Sequence, residues 1–253
     1  MRNYPHQPSE SNWTQQYGAA SVCLLPRAEV TDEAIAAATN RSFLRVNATT
    51  ALSSAHLAYG LEENTQTVQG FFREALFFYE AMERHGVPMS IVDISYALST
   101  ALILGDDARA KRLSNLPRHR YTHPEVMAAE IMYSLLEAEM ALVRGDREAA
   151  RKLSESVNAA LQDKRTLPGT VREVKPMSAL LRACLDADES AWADALKLRN
   201  IAFGRKFKQP ELQNDAFGAF DLHALGVSRL ARRAGIETRI ESVYFPLELL
   251  ETG

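Results

Sequence analysis

Cysteine is scarce in this chain: Cys23 and Cys184, far apart, are the only two among 253 residues. That leaves no CxxC pair and no disulfide framework, so two reduced thiols in a cytoplasmic protein are expected. Glycine (12) and proline (10) are also few, which argues against an all-β chain built on many tight turns. The closest glycines, Gly218 and Gly226, stand eight apart, so neither a GxGxxG fingerprint nor a phosphate-cradling P-loop exists. There is no GxSxG elbow for a serine hydrolase and no HExxH helix for zinc. The polar N-terminus, with Pro5 and Pro8, has no signal-peptide core, and the apolar run 22–25 is too short to span a bilayer. Neither sign of charge dominates: 29 basic against 32 acidic residues give a net charge of −3. No global field recruits nucleic acid or anionic lipid. The expectation is a chain with no catalytic set, no cofactor and no metal, acting on neither nucleic acid nor membrane directly.

What is abundant is alanine and leucine, 37 and 30 residues, a balance that favours helix. Residues 1–30 read as an irregular leader and 31–253 as one α-helical domain. Thr31, followed by Asp32 and Glu33, starts a helix. A second is expected from about Ala48 to Tyr59, stopping near Gly60. Thr65 is placed as the cap of a third, with Val68, Phe72, Ala75, Leu76, Tyr79 and Met82 on one face and an end at His85-Gly86. The aromatic run Phe71, Phe72, Phe77, Phe78 and Tyr79 points in too many directions for one face, so one or two rings are expected in an open groove. A further apolar stripe begins at Ile91. After Pro124, the positions Val126, Ala129, Tyr133, Leu136, Met140 and Val143 recur at spacings of three and four. They leave only a narrow polar stripe of Glu130, Ser134, Glu137 and Arg144, the pattern of a helix packed on more than one side.

The chain also repeats itself. The stretch 101–113 aligns with 141–153 at a constant offset of 40, and each carries a Gly-Asp pair, Gly105-Asp106 and Gly145-Asp146. A weaker third copy runs from Ala183 through Asp188 to Leu196. The physical content is helix, turn, helix: glycine ends the first helix in the left-handed conformation and aspartate caps the second. This predicts an all-α fold of antiparallel hairpins stacked in a tetratricopeptide-like, α-solenoid-like array. An irregular helical bundle with chance hairpin matches is the alternative.

The last third reads as a helix ending near Lys208, a nearly uncharged helix from Ala216 to Ser228, a short extended segment from Ile236 to Phe245 and a closing turn at 246–250. Asp221 is the only formal charge in the second of these helices. Burying it unpaired is expensive, so it is expected to be a hydrogen-bonded or arginine-paired core acid, with an interface or catalytic role as the alternative. His119 and His123 are spaced for one helical face, but Pro124 follows and no further ligand is near. They are read as part of a basic loop.

At the C-terminus a family pattern emerges. Asp221-x-x-Ala224-Leu225-Gly226, then Leu230-Ala231, Gly235-Ile236, Val243-Tyr244-Phe245-Pro246 and Leu249-Leu250 resemble the close of the immunity protein 49 family. Trp192 with Ala195-Leu196 is similar to that family's middle section. The resemblance covers roughly residues 180–250. It implies a mostly helical cytoplasmic protein of a bacterial polymorphic toxin system, which binds a cognate toxin domain and neutralises it by occlusion. It carries over no catalytic residues. Gly105, Gly145, Trp192, Asp221, Gly235 and Pro246 are expected to be structural.

For the partner surface, the candidates are Asp106, Asp107, Glu130, Ser134, Glu137 and Asp146, acids and a serine suited to plugging a basic active site, with an ordinary solvated face as the alternative. Two other functional classes remain open: a helical-repeat scaffold docking a peptide or protein, and an enzyme with dispersed acids on a helical fold.

Overall fold

Three turns of one construction organise the computed structural model, which describes residues 1–38, 41–121, 130–238 and 242–250. At the first, Gly105 adopts φ +69°, Gly105 N–H donates to Leu102 O, and Asp106 N–H donates to Ala101 O at 2.9 Å. Asp106 then turns its carboxylate onto Arg109 N at 3.0 Å. The second repeats this at Gly145 (φ +81°), with Asp146 N–H on Ala141 O at 2.9 Å and the Asp146 carboxylate on Ala149 N at 3.0 Å. The third has Ala187 at φ +51°, Asp188 N–H on Ala183 O at 3.0 Å and the Asp188 carboxylate on Ala191 N at 2.9 Å. Each turn satisfies the last carbonyls of one helix and the first amides of the next.

Those turns join α5 (Ile91–Ile103) to α6 (Asp107–Ser114), α7 (Glu130–Arg144) to α8 (Arg147–Gln162), and α9 (Pro168–Asp186) to α10 (Glu189–Phe207). Before them stand α1 (Glu10–Cys23), α2 (Asp32–Ala37), α3 (Phe43–Gly60) and α4 (Thr65–Arg84); after them comes α11 (Leu222–Arg233). The described residues thus form eleven α-helices and no strand. The fold is all-α, with α3/α4, α5/α6, α7/α8 and α9/α10 packed as pairs, consistent with a helical array. Helix α11 packs mainly on α5, where a Cβ on Gly226 would lie 2.9 Å from Ser99 Cα, so only glycine permits the approach. One apolar core runs from Tyr4 to Leu250. Two smaller clusters, around Val157 and around Ala150, fill the α7–α8–α9 junctions. No helix among the described residues is long and apolar enough to cross a membrane.

Several expectations need correction. Residues 1–30 are not an irregular leader. Ser9 caps α1, Trp13 is fully buried, and its ring occupies the space a Cβ on Gly60 would take. Tyr4 and His6 are buried beside it, with His6 Nδ1 3.0 Å from Tyr244 Oη. The segment's apolar surface is carried by isolated aromatics separated by polar residues, so its sequence shows no helical period. Helix α3 begins at Phe43, well before Ala48, and α4 is capped by Asn64, whose carboxamide accepts from Thr67 N at 2.9 Å, leaving Thr65 inside the helix. The span from Ala216 to Ser228 is not one helix: a 3₁₀ turn at Ala216–Gly218 precedes Asp221, which caps α11. The extended segment after Ile236 pairs into no strand among the described residues; its residues 239–241 lie outside them, as do His123, Pro124 and Val126. Of the aromatic run, Phe72, Phe78 and Tyr79 are buried, while the partly exposed Phe71 and Phe77 are met by Tyr17 and Arg27 from the N-terminal segment.

Candidate partner-binding surface

Glu130, Ser134 and Glu137 stand at i, i+4 and i+7 on α7, so helical geometry alone puts them on one face. The structure adds a cation above them. Arg118, from the 3₁₀ turn Arg118–Arg120, donates from Nη2 to Glu130 Oε2 at 2.6 Å, approaches Glu137 at 3.8 Å and lies over the Tyr133 ring at 4.5 Å. That hydrogen bond holds the Glu130 carboxyl below its ordinary range. Tyr121 Oη donates to Glu137 at 3.2 Å, and burial, reinforced by Glu137, holds the phenol above its ordinary value. The stripe is therefore a partly neutralised acidic ridge.

The aspartates are placed elsewhere. Asp106 and Asp146 are spent as helix caps at equivalent hairpin turns. Asp107 pairs with Arg233, tying α6 to α11. Among the described residues no hydrogen bond or ion pair joins these three to the α7 ridge. Of the residues expected to be structural, Gly105, Gly145 and Gly235 all adopt positive φ, Trp192 is buried, and the Pro246 carbonyl accepts from Leu249 N at 2.9 Å in the closing turn.

Asp221 is buried and makes three contacts at once. Arg199 clamps it from Nε at 2.5 Å and Nη2 at 3.3 Å, and Ala224 N donates at 3.1 Å. Around this pair lies a cluster that no sequence pattern announces. Ser95 Oγ and His223 Nε2 are 2.8 Å apart, Tyr96 stacks on His223 and Phe217, and His56 stacks on Phe220 at 3.9 Å. His56 is buried, and neither ring nitrogen has a hydrogen-bond partner among the described residues. Burial pushes it down to about 3 and His223 down to about 4, against the pull of Asp221.

A serine, a histidine and an aspartate thus converge, but not as a nucleophile system. Both Asp221 oxygens serve Arg199, one of them also the cap, and no hydrogen bond joins Asp221 to His223 to orient the ring as a base. What the arrangement does is lock α5, α10 and α11 together. In a cleft of about 430 Å³ between Arg2, Tyr59, Glu62 and Glu248, Arg2 and Tyr59 are bonded to each other and to Glu248, and Glu62 holds the N-terminal ammonium of Met1. No cluster of three His, Cys, Asp or Glu suited to a metal ion occurs among the described residues.

A family model described as Immunity protein 49 matches residues 30–249. The chain belongs to the immunity protein 49 family. The match reaches far beyond the C-terminal motifs and takes in every helix from α2 to α11 while leaving out α1. Within this immunity protein, the Asp221–Arg199 clamp and the Ser95–His223 contact lie inside the matched span, as does the whole α7 ridge. No curated protein sequence and no solved structure matches the chain.

Proposed function

We propose that this immunity protein binds a cognate bacterial toxin domain in the cytoplasm and neutralises it by covering its active site. Family membership over residues 30–249 is the observation that carries the reading. In it, residues 31–253 act as one unit, and hairpins stacked in tetratricopeptide fashion present a stiff docking platform whose surface side chains vary without disturbing the core. Work by occlusion asks for shape and charge complementarity and no reaction chemistry. The α7 ridge of Glu130, Ser134 and Glu137 is the proposed contact, with Asp106, Asp107 and Asp146 forming a second edge. A basic toxin site would displace Arg118 from Glu130 and Glu137 and take its place.

The experiment is co-expression with the toxin domain encoded by the adjacent upstream gene. Growth rescue is expected, weakened by E130K/E137K. Failure of the wild-type chain to rescue removes the proposal, and full rescue by the double variant removes the ridge from it.

A further inference from the structure

A second, smaller cleft opens between α8 and α9, with a volume of about 250 Å³. Arg151, Ser154, Glu155 and Asn158 line it from α8, at the spacing of one helical face, and Arg182 and Asp186 line it from α9. Three donors of its lining have no acceptor among the described residues. Ser154 is buried and its hydroxyl has no hydrogen-bond partner among the described residues, an arrangement that costs free energy unless something binds. The Asn158 carbonyl oxygen accepts from Ser178 Oγ at 3.2 Å, which leaves the amide nitrogen of Asn158 unused among the described residues. Arg182 is exposed and forms no ion pair among the described residues, whereas Arg151 is held by Asp186 at 2.8 Å.

We propose that this cleft binds a carboxylate, brought by an aspartate or glutamate side chain of a protein partner. A guanidinium, a hydroxyl and an amide N–H₂ are the donor set a carboxylate accepts from. Glu155 and Asp186 on the walls discriminate against phosphate, because their repulsion acts on roughly twice the charge. The volume is below the ~300–1,000 Å³ of sites that enclose a whole small molecule, and suits one inserted side chain. The cleft begins one turn after Arg147, which reaches across to the Leu185 carbonyl and pins the two helices at that end. The proposal rests on the reading of this chain as a partner-binding protein, and adds the chemistry of one anchor.

The test is an NMR titration of the full isotope-labelled chain with N-acetyl-glutamate amide, N-acetyl-glutamine amide and inorganic phosphate. The glutamate probe is expected to give saturable shifts at Ser154, Asn158 and Arg182, and to bind about tenfold more weakly to R182Q and to S154A. Absent saturation, equal binding of the glutamine probe, tighter binding of phosphate, or unchanged binding in both variants overturns the site. Arg182 is a surface side chain, so R182Q keeps the fold even if S154A disturbs it. The probes replace the toxin: a failed titration leaves growth rescue intact, and a failed rescue leaves a positive titration standing.

Discussion

Glu139 lies in the middle of α7, buried, with Oε1 lacking a hydrogen-bond partner among the described residues. Burial raises its carboxyl to about 8, so near neutral pH it holds a proton in the folded chain that the unfolded chain releases. Its contribution to stability is complete below its ordinary value near 4.5 and is lost as pH rises toward 8. The histidines act in the opposite sense. Burial lowers His6 to about 4, His56 to about 3 and His223 to about 4. Between those values and the ordinary 6.5, the unfolded chain takes up protons that the native state refuses, so stability falls as pH drops through that window. Urea unfolding as a function of pH is therefore expected to show stability highest near pH 6.5, falling below it as the unfolded histidines take up protons and falling between pH 6.5 and about 8 as the unfolded chain keeps Glu139 ionised. Glu139→Met is expected to flatten the fall between pH 6.5 and about 8 and to add on the order of 2–4 kcal/mol above it. An unchanged slope over that window in the variant would refute the assignment. Asp221 was legible as a buried acid because its sequence neighbours carry no charge. Glu139 was not, because Glu137 two positions away is equally polar, and helical period alone does not say which of two flanking helices leaves a gap.

At the scale of elements, the hairpin turn is the recurring decision. Gly105 and Gly145 take a left-handed conformation at no steric cost, and Ala187 takes the same one against its Cβ. Ala187→Gly is accordingly expected to stabilise the chain by up to about 1 kcal/mol, and Gly145→Ala to destabilise it by about 1–2 kcal/mol. Thermal unfolding of the two variants checks both signs, and the same sign for both would mean that the turns are not equivalent. These turns were readable because Gly-Asp carries its mechanism in two adjacent residues. Helix starts were less so. Asn64 and Thr65 are both good caps by type, and Asp221 has the composition of a helix interior until its side chain is seen accepting from Ala224 N. The α7 ridge was legible as a shared face, since i, i+4 and i+7 fix it, but not the arginine that sits on it. Arg118 comes from another element, and no local pattern specifies that meeting.

Across the whole molecule, the N-terminal segment closes the core. Tyr4, His6 and Trp13 join Phe207 and Tyr244 from the far end of the chain, and Trp13 Nε1 donates to Asn214 O at 3.1 Å. Trp13→Ala is expected to cost about 3–5 kcal/mol in urea unfolding, as large aromatic deletions in a packed core do. A loss under about 1 kcal/mol would show that the segment is merely laid on the surface. Composition and short-range pattern were sufficient for the all-α class, the repeated hairpins, the want of nucleotide-binding or metal motifs and the family pattern near the C-terminus. Each of these is written in residues close together along the chain, where helical period and capping chemistry operate. The closure by residues 4–13, the Arg199–Asp221 clamp, the buried Glu139 and the cleft between α8 and α9 came only with folding. They join side chains distant in sequence or depend on how completely neighbouring helices exclude water, and burial of that kind is a property of the assembled core.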